Sequence, residues 1–135
     1  MRALRYQTFA DPVDLHVEDV PAPMPAAEEV LVRIHAASLN PVDWKIATGG
    51  FRLLVRGGLP RTMGSDFAGE VIATGAGATR LAPGDRVFGF VDPFTRTGGT
   101  FAEFAAVPSK FAHRLPDGVS FRDAAALACV GATAV

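Results

Sequence analysis

The segment Val30-Leu31-Val32-Arg33-Ile34-His35-Ala36 alternates with a period of two. Its even-numbered positions are all apolar, whereas its odd-numbered positions include Arg33 and His35. Successive side chains of a β-strand point to opposite faces, so this alternation predicts a strand with one face against a core.

On either side of this segment, short stretches of similar character are separated by turn residues, as in Ala82-Pro83-Gly84-Asp85 and Pro116-Asp117-Gly118. The further predicted strands are Arg2 to Phe9, Leu15 to Val20, Phe67 to Thr74, Arg86 to Phe90, Thr100 to Val107 and Phe111 to Leu115. Short strands with this spacing predict a mainly β domain that forms a closed or nearly closed barrel.

A short helix is predicted over residues 41–48. Pro41 suits the first helical turn, and the preceding Asn40 suits the N-cap. Gly49-Gly50 then ends the helix.

A second helix is predicted near residues 121–135, opened by the capping-box pattern of Ser120 and Asp123. From residue 124 onward its only polar side chain is Thr133. Because a helix that is apolar all round must be covered on most sides, we expect it to self-associate in the isolated chain or to fray at its end. The expected buried contacts include Leu127, Val130 and Val135.

Composition and charge exclude several classes of function. Apolar residues make up 49% of the chain, charged residues 20%, and the net charge is −1, so no basic stripe is available for a nucleic acid. The segment Met1–Tyr6 lacks an apolar signal region, and no apolar run reaches the roughly 18 residues that cross a bilayer. With Cys129 as the only cysteine, we predict a cytoplasmic protein with no internal disulfide and no membrane span.

Three stretches of the sequence contain more specific motifs. They are Ala37-Ser38-Leu39-Asn40-Pro41-Val42-Asp43-Trp44-Lys45, then Gly64-Ser65-Asp66-Phe67-Ala68-Gly69-Glu70-Val71 with Gly75, and finally Gly84-Asp85-Arg86-Val87, Gly98-Gly99-Thr100-Phe101-Ala102-Glu103-Phe104 and Ala128-Cys129-Val130-Gly131-Ala132-Thr133-Ala134. In this order they resemble the medium-chain dehydrogenase/reductase superfamily, in its quinone oxidoreductase branch.

The resemblance implies a GroES-like, partly closed β-barrel as the catalytic, substrate-side domain over residues 1–135. In the family a Rossmann domain that binds NADPH or NADH follows, and we expect that domain to be absent from this chain. Gly75-Ala76-Gly77 is the nearest approach to a dinucleotide motif, but Arg80 replaces its third glycine and Pro83-Gly84 comes next. We interpret it as a turn.

Zinc is not expected. In the zinc-dependent alcohol dehydrogenases of the superfamily, a Cys, a His and a later Cys hold the catalytic zinc. The corresponding positions of this chain hold Asn40, Ser65 and Cys129. A single thiol cannot supply the three protein ligands that catalytic zinc needs. The cysteine-rich structural lobe of those enzymes would fall between Asp85 and Glu103, where residues 88–99 contain no cysteine.

The resemblance also implies the site residues. Asn40 matches a ligand-facing position, so it is a candidate for catalysis and for cofactor contact, although it could simply cap its helix. Asp43 is a second catalytic candidate, with a cap of its own turn as the favoured alternative. Phe51 replaces a tyrosine near the nicotinamide, and Thr133 matches a threonine against that ring, with a bond to its own helix as the alternative. Asp66 is expected to anchor its turn through backbone hydrogen bonds.

The predicted function is reduction of a quinone or an α,β-unsaturated carbonyl by NADPH or NADH without zinc. The alternative is a free-standing GroES-like barrel that has no catalysis and acts by association. A zinc-dependent alcohol dehydrogenase is a third possibility, which Asn40 and Ser65 disfavour.

Overall fold

A computed structural model describes residues 1–94 and 98–134, which form eight strands and two α-helices. The strands are β1 Arg2–Tyr6, β2 Leu15–Asp19, β3 Glu29–Ala36, β4 Arg61–Thr62, β5 Asp66–Thr74, β6 Arg86–Phe90, β7 Phe104–Pro108 and β8 Ala112–Arg114. The helices are α1 Pro41–Ala47 and α2 Phe121–Thr133.

The strands form two antiparallel sheets, in the orders β2-β1-β4 and β7-β3-β5-β6-β8. The sheets meet where Ala3 bridges Ala102 and the Leu4 backbone N–H donates to the Phe101 carbonyl at 2.8 Å. The predicted mainly β, partly closed barrel is thereby confirmed.

The larger sheet encloses the main core, which centres on Phe67 with buried valines on the strands around it. Val30 and Val32 are fully buried while Arg33 and His35 are exposed, so the predicted alternation of β3 is confirmed. Full burial of each such valine or phenylalanine stabilises the fold by about 1.5–3 kcal/mol.

Helix α2 lies against the larger sheet through three small residues, Ala124, Ala125 and Ala128, and leaves its other face open. Ser120 accepts a hydrogen bond from the Asp123 backbone at 3.1 Å, which confirms the predicted cap. Within residues 1–94 and 98–134, no helix is long and apolar enough to span a bilayer. The expected contact at Val135 lies outside the described residues.

The strand predictions differ from the structure in three places. The strand predicted over Arg2 to Phe9 ends at Tyr6. The predicted strand from Thr100 begins only at Phe104, because residues 100–103 bond irregularly to both sheets instead of to one neighbour. Strand β4 was missed, since its two residues are too few for any alternation and are specified only by pairing with β1.

Candidate functional site

Five polar residues from the β3–α1 loop, α1 and the start of β5 meet in the interior. We call them the polar network: Ser38, Asn40, Asp43, Ser65 and Asp66. All except the half-buried Ser38 are buried, and Ser65 and Asp66 are completely inaccessible. Polar groups remain in such a place only when hydrogen bonds replace water.

Asn40 joins the two carboxylates of the network. Its side-chain Nδ2 donates to Asp66 Oδ2 at 2.9 Å, and its backbone N–H donates to Asp43 Oδ2 at 2.8 Å. Asn40 therefore occupies the N-cap position of α1 as predicted, but its amide nitrogen is directed to Asp66. The structure brings the candidates Asn40 and Asp43 together.

Asp43 caps its own turn, which is the structural alternative that the sequence offered. Its Oδ2 caps the first turn of α1 by accepting from Asn40, and its Oδ1 accepts from the Ser65 hydroxyl. Helix α1 is thereby tied to the segment that enters β5.

The predicted role of Asp66 as an anchor of its own turn is wrong. Its carboxylate accepts from the side chains of Asn40 and Ser38, and Ser38 also lies 3.1 Å from the Ala125 carbonyl of α2. The turn needs no such anchor, because Gly64 supplies a φ of 96° and a side chain there would collide with the Phe101 ring.

Burial raises the pKa of both carboxyl groups above their ordinary values. For Asp43, bonds from Ser65 and Asn40 oppose the rise and the charge of Asp66 adds to it. For Asp66, bonds from Asn40 and Ser38 oppose it, with a smaller effect from the Cys129 backbone amide. Asp66 Oδ1 has no partner with hydrogen-bond geometry in the described parts of the chain, so its burial is incompletely compensated.

A small cleft, about 20 Å³ in volume, lies beside Asp43 and is lined also by Tyr6 and Arg61. Burial raises the pKa of Tyr6 above its ordinary value, and the nearby Arg61 guanidinium opposes part of that rise. Arg61 also donates to the carbonyls of Arg56 and Pro93, both at 2.8 Å. It therefore braces its loop.

The two other candidate residues lie outside the polar network. Phe51, in the segment after α1, packs edge-on against Phe94 with ring centroids 5.7 Å apart. Thr133 is exposed on α2 and donates to the Cys129 carbonyl at 2.8 Å, which is the back-bond predicted as its alternative role.

The residues do not fit a zinc ion. Asn40 and Ser65 are committed to hydrogen bonds with Asp66 and Asp43. In the described ranges no three His, Cys, Asp or Glu side chains are placed to hold a metal. Burial, together with the charges of Asp66 and Asp43, raises the pKa of the Cys129 thiol.

The segment Gly75-Ala76-Gly77 is a turn, as predicted. The backbone N–H groups of Gly75 and Gly77 donate to the carbonyls of Glu29 and Ala27, both at 2.8 Å. These amides are therefore not free to bind a phosphate.

Comparison with known proteins places the chain in a family. A family model described as the alcohol dehydrogenase GroES-like domain matches residues 26–117, well over half of the sequence. The chain therefore belongs to the GroES-like domain family of the alcohol dehydrogenases. It is 38% identical to the chloroplastic quinone-oxidoreductase homolog of Spinacia oleracea over 99% of its own length and 40% of that protein's. It is 42% identical to a zinc-type alcohol dehydrogenase-like protein of Schizosaccharomyces pombe, over 94% of its own length and 38% of that protein's.

Solved structures agree. The quinone oxidoreductase of Coxiella burnetii has a TM-score of 0.88 at 32% identity, covering 99% of this chain and 43% of that one. The Escherichia coli quinone oxidoreductase, solved with NADPH, has a TM-score of 0.81 at 26% identity. The match covers 93% of this chain and 36% of that one. The chain is thus related to oxidoreductases whose full-length forms bind NADPH, and it spans about two fifths of the length of the curated relatives it matches.

Sequence reasoning missed three participants. Ser38 stood inside a recognised motif without a role, and no signal in the sequence paired it with a residue 28 positions away. Tyr6 and Arg61 meet because β1 pairs with β4, and β4 carries no strand pattern of its own.

Proposed function

We propose that this chain is the substrate-side domain of an NAD(P)H-dependent oxidoreductase that reduces quinones or α,β-unsaturated carbonyls without zinc. The observation that carries the proposal is the polar network. Asn40 and Ser65 stand where related alcohol dehydrogenases hold zinc ligands, and here they make hydrogen bonds to carboxylates. Similarity to proteins named quinone oxidoreductase supports the reductase activity.

The role proposed for this chain is orientation. A bound nicotinamide cofactor would supply hydride, and a separate Rossmann domain would hold its phosphates, since the Gly75 and Gly77 amides of the glycine turn are already hydrogen-bonded within this chain. Asn40 would contact substrate or cofactor, Asp43 would hold the Asn40 backbone in place, and Phe51 and Thr133 would face the cofactor.

The test is to express the complete reading frame that encodes the chain and to follow NADPH oxidation with a quinone and with an enone. We expect turnover that survives treatment with a chelator, and elemental analysis well below one zinc per chain. Asn40→Ala should lower the rate of NADPH oxidation without unfolding the protein. Lys45 is exposed on the same helix, and Lys45→Ala should leave that rate unchanged. About one zinc per chain, with activity lost on chelation, would overturn the zinc-free mechanism.

The competing function is a non-catalytic barrel that works by association, and the exposed Leu127 and Val130 on α2 favour it. Absence of turnover with either substrate class from the complete reading frame would select it. The cytoplasmic location remains a prediction, and the spinach relative is named as chloroplastic.

A further inference from the structure

We propose that Asp66 is a positioning residue for Asn40: its buried carboxylate fixes the direction in which the Asn40 amide points, and with it the group that Asn40 offers to a ligand. The functional half of this inference rests on the proposed function. Its structural half stands on the hydrogen bonds of the polar network alone.

An asparagine amide has two ends of nearly equal shape, one a donor and one an acceptor, so only its neighbours decide which way it points. An ionised carboxylate can only accept a hydrogen bond. With Asp66 Oδ2 at 2.9 Å, the nitrogen end of Asn40 is the end that faces Asp66. A flipped amide would place two acceptors against each other in a dry interior.

The backbone of Asn40 is fixed separately, because its N–H donates to Asp43 Oδ2 at 2.8 Å. Asp43 is held in turn by the Ser65 hydroxyl. The two carboxylates therefore have separate roles, since Asp43 sets where the residue is and Asp66 sets how its amide is turned. A group fixed in both respects is what orientation chemistry requires.

The position of Asp66 is difficult to explain by stability. It is completely inaccessible at the start of β5, where Phe67 and Ala68 are also fully buried, and only uncharged groups donate to its carboxylate. Apolar residues in place of Asp66 and its two donors together would fill such a position without the cost of burying a charge. The structure keeps a carboxylate where it can hold an amide.

The inference predicts a pH dependence. Because burial raises the pKa of Asp66, its carboxyl takes up a proton at a higher pH than an ordinary aspartate, and the proton removes the charge that selects the nitrogen end of Asn40. The carboxyls of Asp43 and Asp66 face each other. The other titratable groups beside them are Tyr6, Arg61 and the Cys129 thiol. The orientation of Asn40 should therefore be fixed above the raised pKa of Asp66 and loosen below it.

The chain offers a direct test, because Asn40 is its only asparagine and Gln7 its only glutamine. Nitrogen-resolved NMR of the 135-residue chain should show one side-chain amide pair from each. The comparison is Gln7, whose amide also donates to a carboxylate, that of Glu18, but does so at the exposed surface. We expect the Asn40 pair to exchange with solvent more slowly than the Gln7 pair. On acidification through the raised pKa, the Asn40 pair should move and its exchange should accelerate relative to Gln7.

Asp66→Ala should accelerate exchange of the Asn40 pair about tenfold or more, as expected for the loss of a hydrogen bond to a charged group. The matched control is Thr100→Val, which removes a buried hydroxyl that donates to the Asp66 backbone carbonyl at 2.6 Å and leaves the carboxylate in place. It should leave the Asn40 pair unchanged. If Asp66→Ala does not fold, the titration of the unaltered chain decides; an Asn40 pair that neither moves nor changes its exchange relative to Gln7 would overturn the inference.

In the active full-length protein, Asp66→Asn should lower kcat about tenfold with little change in KM. Added to Asn40→Ala, it should cause no further loss, because it acts through Asn40. Additive losses would show that Asp66 acts by another route. If the unaltered protein reduces neither substrate class, the proposed function fails while the amide measurement still decides the structural inference.

Discussion

In most proteins charged side chains are exposed and large apolar ones are buried, and two regions of this domain depart from that rule. The polar network buries charged groups, and the outer face of α2, which carries Leu127 and Val130, exposes apolar ones. The network buries two carboxylates almost completely, whereas α2 exposes Leu127 by 61% and Val130 by 50%. Hydrogen bonds compensate most of the network internally, with Asp66 Oδ1 as the exception, and nothing in the described residues covers the helix. The interior of this domain therefore satisfies most of the polar groups of the network, while one outer face leaves its apolar groups in water.

The largest effect should come from breaking the network at Asp43. Asp43→Ala leaves the Asn40 backbone N–H and the Ser65 hydroxyl buried without an acceptor, so we expect the free energy of unfolding to fall by about 2–4 kcal/mol. Urea denaturation followed by circular dichroism measures this. Asp43→Asn keeps one acceptor and should lose less, and the exposed Lys45→Ala of the same helix should lose almost nothing. A loss for Asp43→Ala as small as that of Lys45→Ala would show that the network does not stabilise the fold.

An intermediate effect, on association instead of folding, should come from the outer face of α2. At about 25 cal/mol per Å², even roughly 200 Å² of exposed apolar surface is worth about 5 kcal/mol, which is comparable with the net stability of a small domain. We therefore expect the isolated chain to self-associate through this face at micromolar concentration, or to leave the last turns frayed.

Light scattering before and after Leu127→Lys and Val130→Lys measures the association, and both variants should remain folded because both positions are exposed. Ala126→Lys is the matched control, since Ala126 is exposed on the same helix and offers little apolar surface to bury. A monodisperse monomer whose terminal amides exchange as slowly as those of the barrel strands would contradict both expected outcomes.

The same contrast explains how far the sequence could predict the structure. Local patterns were sufficient for β3, α1 and the cap at Ser120, because alternation and capping depend on neighbouring residues. They failed at β4 and at residues 100–103, where the conformation is specified by contacts with distant strands.

The candidate site was predicted only in part. Asn40 was identified from the family resemblance, because it matches a ligand-facing position, and Asp43 was considered because it lies three positions further on. The bonds from Asn40 and Ser38 to Asp66 span 26 and 28 positions, and no periodicity reports a hydrogen bond over such a distance. For that reason Asp66 was assigned to its own turn.

The smallest effect should come from Thr133, which is exposed and is the only polar side chain of α2 from residue 124 onward. Its hydroxyl donates to the Cys129 carbonyl, and such a back-bond contributes little to a helix, whereas alanine has the higher helix propensity. Thr133→Ala should therefore change the free energy of unfolding by no more than about 0.5 kcal/mol. Urea denaturation measures this change, and Thr133→Val, which keeps the branched shape, is the control.

A stability loss above about 1 kcal/mol for Thr133→Ala would mean that the hydroxyl has a buried contact in solution, as an associated α2 would provide. In the complete protein the same variant tests the proposed cofactor contact, because a hydroxyl facing the nicotinamide should raise KM for NADPH when it is removed and leave the fold untouched. An unchanged KM would leave Thr133 with its back-bond alone, and the proposed cofactor contacts of this domain would then reduce to Asn40 and Phe51.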